Sequence, residues 1–173
     1  MEVKDVLNPE TIMTHLQTDK KSEVLDALIS SLYKQGIIDD EQAFCKDVYE
    51  REKIGVTGLG NYIAIPHGRS KSVRKPGVAI AILDHEIAWE SLDGKGVKIV
   101  ILLAVGADDE GALEHLKLLA MFSKRLGDDA LIRRLCQANS VEDVMLAFDE
   151  TNANEENEEC EETDIDLDEI TIS

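Results

Sequence analysis

The chain has 173 residues, with 36 Asp and Glu against 18 Lys and Arg and a formal net charge of −18. That length suits one domain with a short extension, and 43% apolar residues is too many for a chain that is disordered throughout. The acidity is uneven: residues 150–173 hold eleven acids and no Lys or Arg, which leaves 25 acids against 18 bases in the body. Neither part carries the basic patch of a nucleic-acid binder.

No stretch approaches the roughly 18 consecutive apolar residues of a spanning helix, so no direct membrane insertion is expected. The opening MEVKDVLNPE lacks the basic and apolar regions of a signal peptide. The three cysteines are Cys45, Cys136 and Cys160, none in C-x-x-C spacing. Cys45 and Cys136 sit among apolar residues in helix-like segments and read as buried free thiols. The expected compartment is therefore the reducing cytoplasm.

In chain order, a short apolar segment, Thr11 to Leu16, precedes Lys20 and Lys21. Val24, Leu25, Leu28, Ile29 and Leu32 then recur at helical spacing, and Gly36 ends that helix. Asp39 is expected to cap a second helix running to about Lys53. The glycine-punctuated stretch Gly55 to Asn61 reads as irregular. An apolar run, Tyr62 to Ile65, ends at Pro66-His67-Gly68. Val78 to Leu83 and Val97 to Val105 are short, unbroken and β-branched, as strands buried on both faces read. Asp93-Gly94 and Gly96 supply turn chemistry between them.

The remainder reads as helical: Leu113 to Leu126, Ala130 to Gln137 and Val141 to Phe148, with Ser140 and Asp143 as a start resembling a capping box. Helices before and after the strands predict a single α/β domain, a central mixed sheet flanked by helices on both faces, over residues 1–149. Residues 150–173 read as an acidic tail or linker. Ile165, Leu167, Ile170 and Ile172 leave a short edge strand open as the alternative.

Among the candidate functional residues, His67 stands out. It follows an apolar run between a proline, which fixes φ and lacks an N–H, and a glycine, which leaves the approach open. Such a histidine is presented rather than packed; an idle loop histidine is the competing reading. The glycines before it can offer N–H groups to an anion. They form no nucleotide P-loop, since no Gly-Lys-Ser/Thr follows. They form no dinucleotide fingerprint either, since that motif runs strand, glycines, helix. The histidines, His15, His67, His85 and His115, lack metal-ligand spacing, and no G-x-S-x-G elbow occurs. No metal or cofactor is expected.

The segment Glu52 to Gly68 resembles the phosphorylation-site signature of type-2 enzyme IIA, the fructose–mannitol family of the bacterial sugar phosphotransferase system. That signature asks for an acidic or amide residue, six free positions, an apolar residue and a glycine, matched by Glu52, Leu59 and Gly60. After two free positions it asks for apolar-Ala-apolar-Pro-His-small, matched by Ile63 to Gly68. Trp89 to Lys98 and Glu114 to Ala120 are similar to two further family segments, and residues 3 to 149 fit as a whole.

The resemblance implies a phosphotransferase component with a phosphohistidine intermediate. His67 would accept phosphate from HPr, the histidine-containing phosphocarrier. It would pass it to a IIB component, and with IIC serve a sugar permease, for fructose first and mannitol second. Some relatives are instead regulators that act by phosphorylation-dependent binding, which is the alternative. The resemblance assigns Arg51 and His115 as supporting residues; a solvated helix end and a half-buried polar residue are their bland readings. Thr57 and Asn61 are expected beside the phosphate, and Arg69 and Arg74 are weaker candidates for partner docking.

Overall fold

A computed structural model describes residues 2–149; the readings of the tail at 150–173 lie outside the described residues. The elements run α1 (Val3–Val6), β1 (Ile12–Leu16), α2 (Lys21–Lys34), α3 (Glu41–Ile54), β2 (Gly58–Gly60), β3 (Ile63–Ala64), β4 (His67–Arg69), β5 (Gly77–Ile87), β6 (Val97–Val105), α4 (Asp109–Arg125) and α5 (Asp129–Cys136). A last helix, α6, covers 141–149. One mixed sheet has the order β1-β5-β6-β3-β2, with β4 also on β6. Among the described residues no helix is long and apolar enough to cross a membrane.

The expected sheet, flanked on both faces by helices, is what forms. The two central strands show why. Along β5 and β6, Ile80, Ile82, Ile99, Ile101 and Leu103 point to a cluster completed by Leu118, Phe122, Leu131, Leu135 and Phe148 from α4, α5 and α6. The alternate residues, Ala79, Ala81, Val100, Leu102 and Ala104, meet Val24, Leu25, Leu28, Phe44 and Val48 from α2 and α3. Period-two alternation with apolar residues in both phases needs cover on both faces. The alanines are all on the α2–α3 side, so those helices sit close to the sheet.

Several expectations shift. The cap of α3 is Asp40, whose side chain accepts from the Ala43 N–H at 3.1 Å. The neighbouring Asp39 instead pairs with Arg74. The unassigned Thr11–Leu16 segment supplies an edge strand, β1, parallel to β5. The glycine stretch is not wholly irregular, because Gly58–Gly60 pairs with β3. Helix α4 starts four residues early, capped by Asp108 on the Gly111 N–H at 2.8 Å; Gly111 and the acids masked that turn. The Ser140 start holds, with the Asp143 N–H donating to Ser140 Oγ at 3.2 Å, but the Asp143 carboxylate returns to the N–H of Asn139. Cys45 and Cys136 are free and half-buried rather than fully buried.

β3 and β4 behave as one strand interrupted at Pro66. Ile63 pairs with Ile99 and His67 with Leu103, in unbroken parallel register. Parity therefore sends residues 63, 65 and 67 toward α4, and residues 64 and 68 toward α3. Gly68 is the point of closest approach: a Cβ there would meet Phe44 Cε2 at 2.6 Å and Val48 Cγ2 at 2.8 Å. A Gly68→Ala variant should lose about 1–3 kcal/mol through overpacking. Urea unfolding should show an earlier midpoint; an unchanged midpoint would mean that α3 has room to yield.

Candidate functional site

His67 opens β4 at the end of the sheet where β6 finishes and α4 begins. In open α/β sheets this edge, beyond the carboxyl ends of parallel strands, is where ligands bind. The backbone around it is pinned along β6: the Leu103 N–H donates to Pro66 O at 3.0 Å and the Ser70 N–H to Val105 O at 3.0 Å. This corrects the expectation of a presented histidine. His67 is only 9% exposed, because it lies inside the strand path and α4 closes over it.

What closes over it is His115, in the second turn of α4. The two rings have centroids 4.1 Å apart and are tilted by 32°. Gly111 lets the helix start tightly, since a Cβ there would lie 2.0 Å from the Gly106 carbonyl oxygen. His67 Nδ1 and His115 Nε2 are both buried with no hydrogen-bond partner.

Burial and the neighbouring positive charges disfavour a proton on both rings. Burial is the largest effect on His67, followed by the neighbouring His115 and Arg51; together with Arg69 they lower its pKa to about 4, and only the Ile65 backbone opposes them. Burial, then Arg69 and Arg51, also lowers His115. Arg51, on the last turns of α3, donates from Nη1 to Gly55 O at 3.1 Å. Arg69 Nη2 donates to the carbonyls of Ala107 and Asp108, at 3.2 and 3.1 Å, and so ties β4 to the start of α4.

The structure therefore gathers His67, His115, Arg51 and Arg69. It does not gather the rest. Thr57 is buried with its hydroxyl committed: it donates to Glu52 Oε1 at 2.9 Å and accepts from Trp89 Nε1 at 3.1 Å. Asn61 lies near the opposite end of β6, since the neighbouring Tyr62 carbonyl accepts from the N–H groups of Lys98 and Ile99. Five residues of strand, about 16 Å, separate that level from Leu103. Arg74 pairs with Asp39 at 3.2 Å and is not among the charges that act on either histidine. His15 and His85, given no role, pair with Asp84 and Asp19 elsewhere. Sequence reasoning also passed over Lys21 and Trp89, which contact Glu52 and Thr57; they stand 68 positions apart, and no local pattern links them.

The family model for the phosphoenolpyruvate-dependent sugar phosphotransferase system, EIIA 2, matches residues 5–151. The chain belongs to that family. Among EIIA 2 relatives, it is 30% identical over 151 residues to the 2-O-alpha-mannosyl-D-glycerate-specific EIIABC component of Escherichia coli, covering 87% of this chain but 23% of that protein. The chain thus spans less than a quarter of that relative's length. It is 33% identical over 158 residues to a nitrogen regulatory protein of Klebsiella oxytoca, covering 90% of this chain and 95% of that one. In fold it is similar to the Escherichia coli mannitol enzyme IIA solved in complex with phosphorylated enzyme IIB, with a TM-score of 0.71 and 25% identity over 82% of this chain and 96% of that one.

The depressed titration of His67 carries a sign. Between about pH 6.5 and about 4 the unfolded chain binds a proton at this ring and the folded chain does not. Stability is therefore full above pH 6.5 and is lost as pH falls toward 4. His67→Gln should flatten that part of the stability-versus-pH curve. Denaturant unfolding of both proteins at stepped pH checks it, and parallel curves would contradict a neutral buried His67.

Proposed function

We propose that this chain is a phosphocarrier that takes a phosphoryl group from HPr onto Nε2 of His67 and passes it to a IIB component of a sugar permease. The observation that supports it is a neutral imidazole, with Nδ1 shut in, beside two guanidinium groups and a second histidine. With the proton on Nδ1, Nε2 has its lone pair free and no base is needed. The N–P bond to Nε2 forms as the bond to the donor's histidine breaks, and the displaced imidazole keeps the electron pair. Transfer to a cysteine or histidine of IIB reverses the step.

Phosphoryl transfer rests mainly on positioning and charge. Arg51 supplies a planar fork of donors for the phosphate oxygens. His115 can donate to a phosphate oxygen, and Arg69 adds charge while holding α4 in place. Residues 1–149 form the carrier domain and 150–173 a tail or linker, in the cytoplasm. The sugar served is fructose-like, fructose before mannitol.

The test supplies phosphoenolpyruvate, enzyme I and HPr. Acid-labile label should appear on the wild type and vanish in His67→Ala, while Arg51→Ala should slow its appearance about a hundredfold. Label that persists in His67→Ala would overturn the assignment.

The regulatory reading is favoured by the nitrogen regulatory relative, which this chain matches over nearly its whole length. On that reading the phosphorylated and unphosphorylated forms bind a target protein differently. A phosphorylated chain that transfers nothing to any IIB, yet retains one partner in one phosphorylation state alone, would establish regulation in place of transport.

A further inference from the structure

The Glu52 carboxylate lies where four segments meet. It sits on the last turn of α3, one residue beyond Arg51, with a side chain only 7% exposed. Lys21 Nζ, from the first turn of α2, is 2.6 Å from its Oε1. The Thr57 hydroxyl donates to the same oxygen at 2.9 Å and accepts from the Trp89 indole N–H at 3.1 Å. Lys21 also lies 2.7 Å from Glu90 Oε2 and 4.7 Å above the Trp89 ring. Burial alone would lower the Lys21 ammonium, but its bonds to the two carboxylates outweigh burial and hold it above its ordinary value. The lysine is a fixed charge.

Such a cluster is a poor way to gain stability. Desolvating two ions offsets much of their attraction, and Glu52 Oε2 is left buried with no partner. Its yield is geometric. At one end, Glu52 adjoins Arg51. At the other, the Thr57 carbonyl accepts the N–H of Ile65 at 3.0 Å, two residues before His67. Between Arg51 and His67 the chain passes Gly55, Gly58 and Gly60, a path with little stiffness of its own. Gly58 is bonded into the same unit: its N–H donates to Glu90 O at 3.1 Å, and its own carbonyl accepts from Leu92 at 3.0 Å.

We propose that Glu52 is a positioning residue which, with Lys21, Thr57 and Trp89, forms a latch that sets Arg51 against His67 for phosphoryl transfer. The inference rests on the phosphocarrier reading. Glu52 touches no phosphate and acts through the two residues whose separation it fixes.

The experiment measures transfer from phospho-HPr to the full chain carrying Glu52→Ala, Glu52→Gln, Thr57→Val, or Glu52→Ala with Thr57→Val. The two disruptive single variants should lose kcat on the order of 10–100-fold with KM for phospho-HPr little changed, as misplacement of a catalytic group does. Glu52→Gln keeps an acceptor for Thr57 and should recover most of the rate. The double variant should be no slower than the slower single, since one device is broken once.

A fall in melting temperature with kcat per folded molecule unchanged would overturn the proposal. Thr57→Val, close in shape to threonine, carries the test if Glu52→Ala does not fold. Should the wild type take no phosphate, the carrier reading fails on its own account. The latch is then judged by NMR titration of the His67 ring: a midpoint moved upward in Thr57→Val supports it, and an unmoved midpoint refutes it.

Discussion

The register of the broken strand along β6 is the constraint on which the site depends. Because the pairing runs from Ile63 with Ile99 to His67 with Leu103 without a slip, side-chain parity is fixed across Pro66. A slip of one residue would turn His67 toward α3 and push position 68 toward α4. As it stands, the histidine meets α4, where His115 waits, and glycine meets α3, where Phe44 and Val48 leave no room for a side chain. The same alternation that builds the two core faces thus decides which helix completes the site. Apolar packing on both sides makes the register expensive to change.

The electrostatics of the site serve two states of one residue. Before transfer, burial together with the charges of Arg51 and Arg69 disfavours a proton on His67 and keeps its nucleophilic nitrogen unprotonated. After transfer, on the proposed mechanism, those cations face a phosphoryl group instead of a proton. An arrangement that repels a small positive charge attracts a larger negative one, so no rearrangement is needed between the two roles. Arg69 is held by the backbone carbonyls of Ala107 and Asp108, so its charge stays in place through both.

How far this was legible depends on the range of each signal. The central strands and the later helices are readable because their evidence is periodic and local: Val97 to Val105 is apolar at almost every position, as a strand covered on both faces is, although Leu116, in helical phase with Leu119 and Phe122, stands 62% exposed while Leu118 and Phe122 carry the buried face of α4. His67 stands out through its place between Pro66 and Gly68, Arg51 and His115 only through the resemblance to a family, and the fold brings the three into one region. The helix caps at Asp40 and Asp108 are local misses of one to four residues; the misses at the site are non-local. The buried state of His67 comes from a partner strand and a helix 36 and 48 residues away. The sequence places the polar Thr57 hydroxyl near the phosphate, but Glu52 and Trp89 claim it first. Asn61 stands only six residues from His67 in sequence, yet a strand run in one direction carries it to the other end of the sheet.

The two relatives that point to transport and to regulation share this family, and the physics of the site does not require a choice between them. Phosphorylation would add close to two negative charges at a nearly buried residue that feels two arginines. Any protein docking there would meet a surface whose local sign changes with the phosphate. A IIB component would use the change by removing the group; a regulated target would use it by binding one form and rejecting the other. The proposed carrier chemistry would be common to both. What separates them is the acceptor: whether the docked partner brings a nucleophile in line with the phosphorus or only a surface matched to its charge.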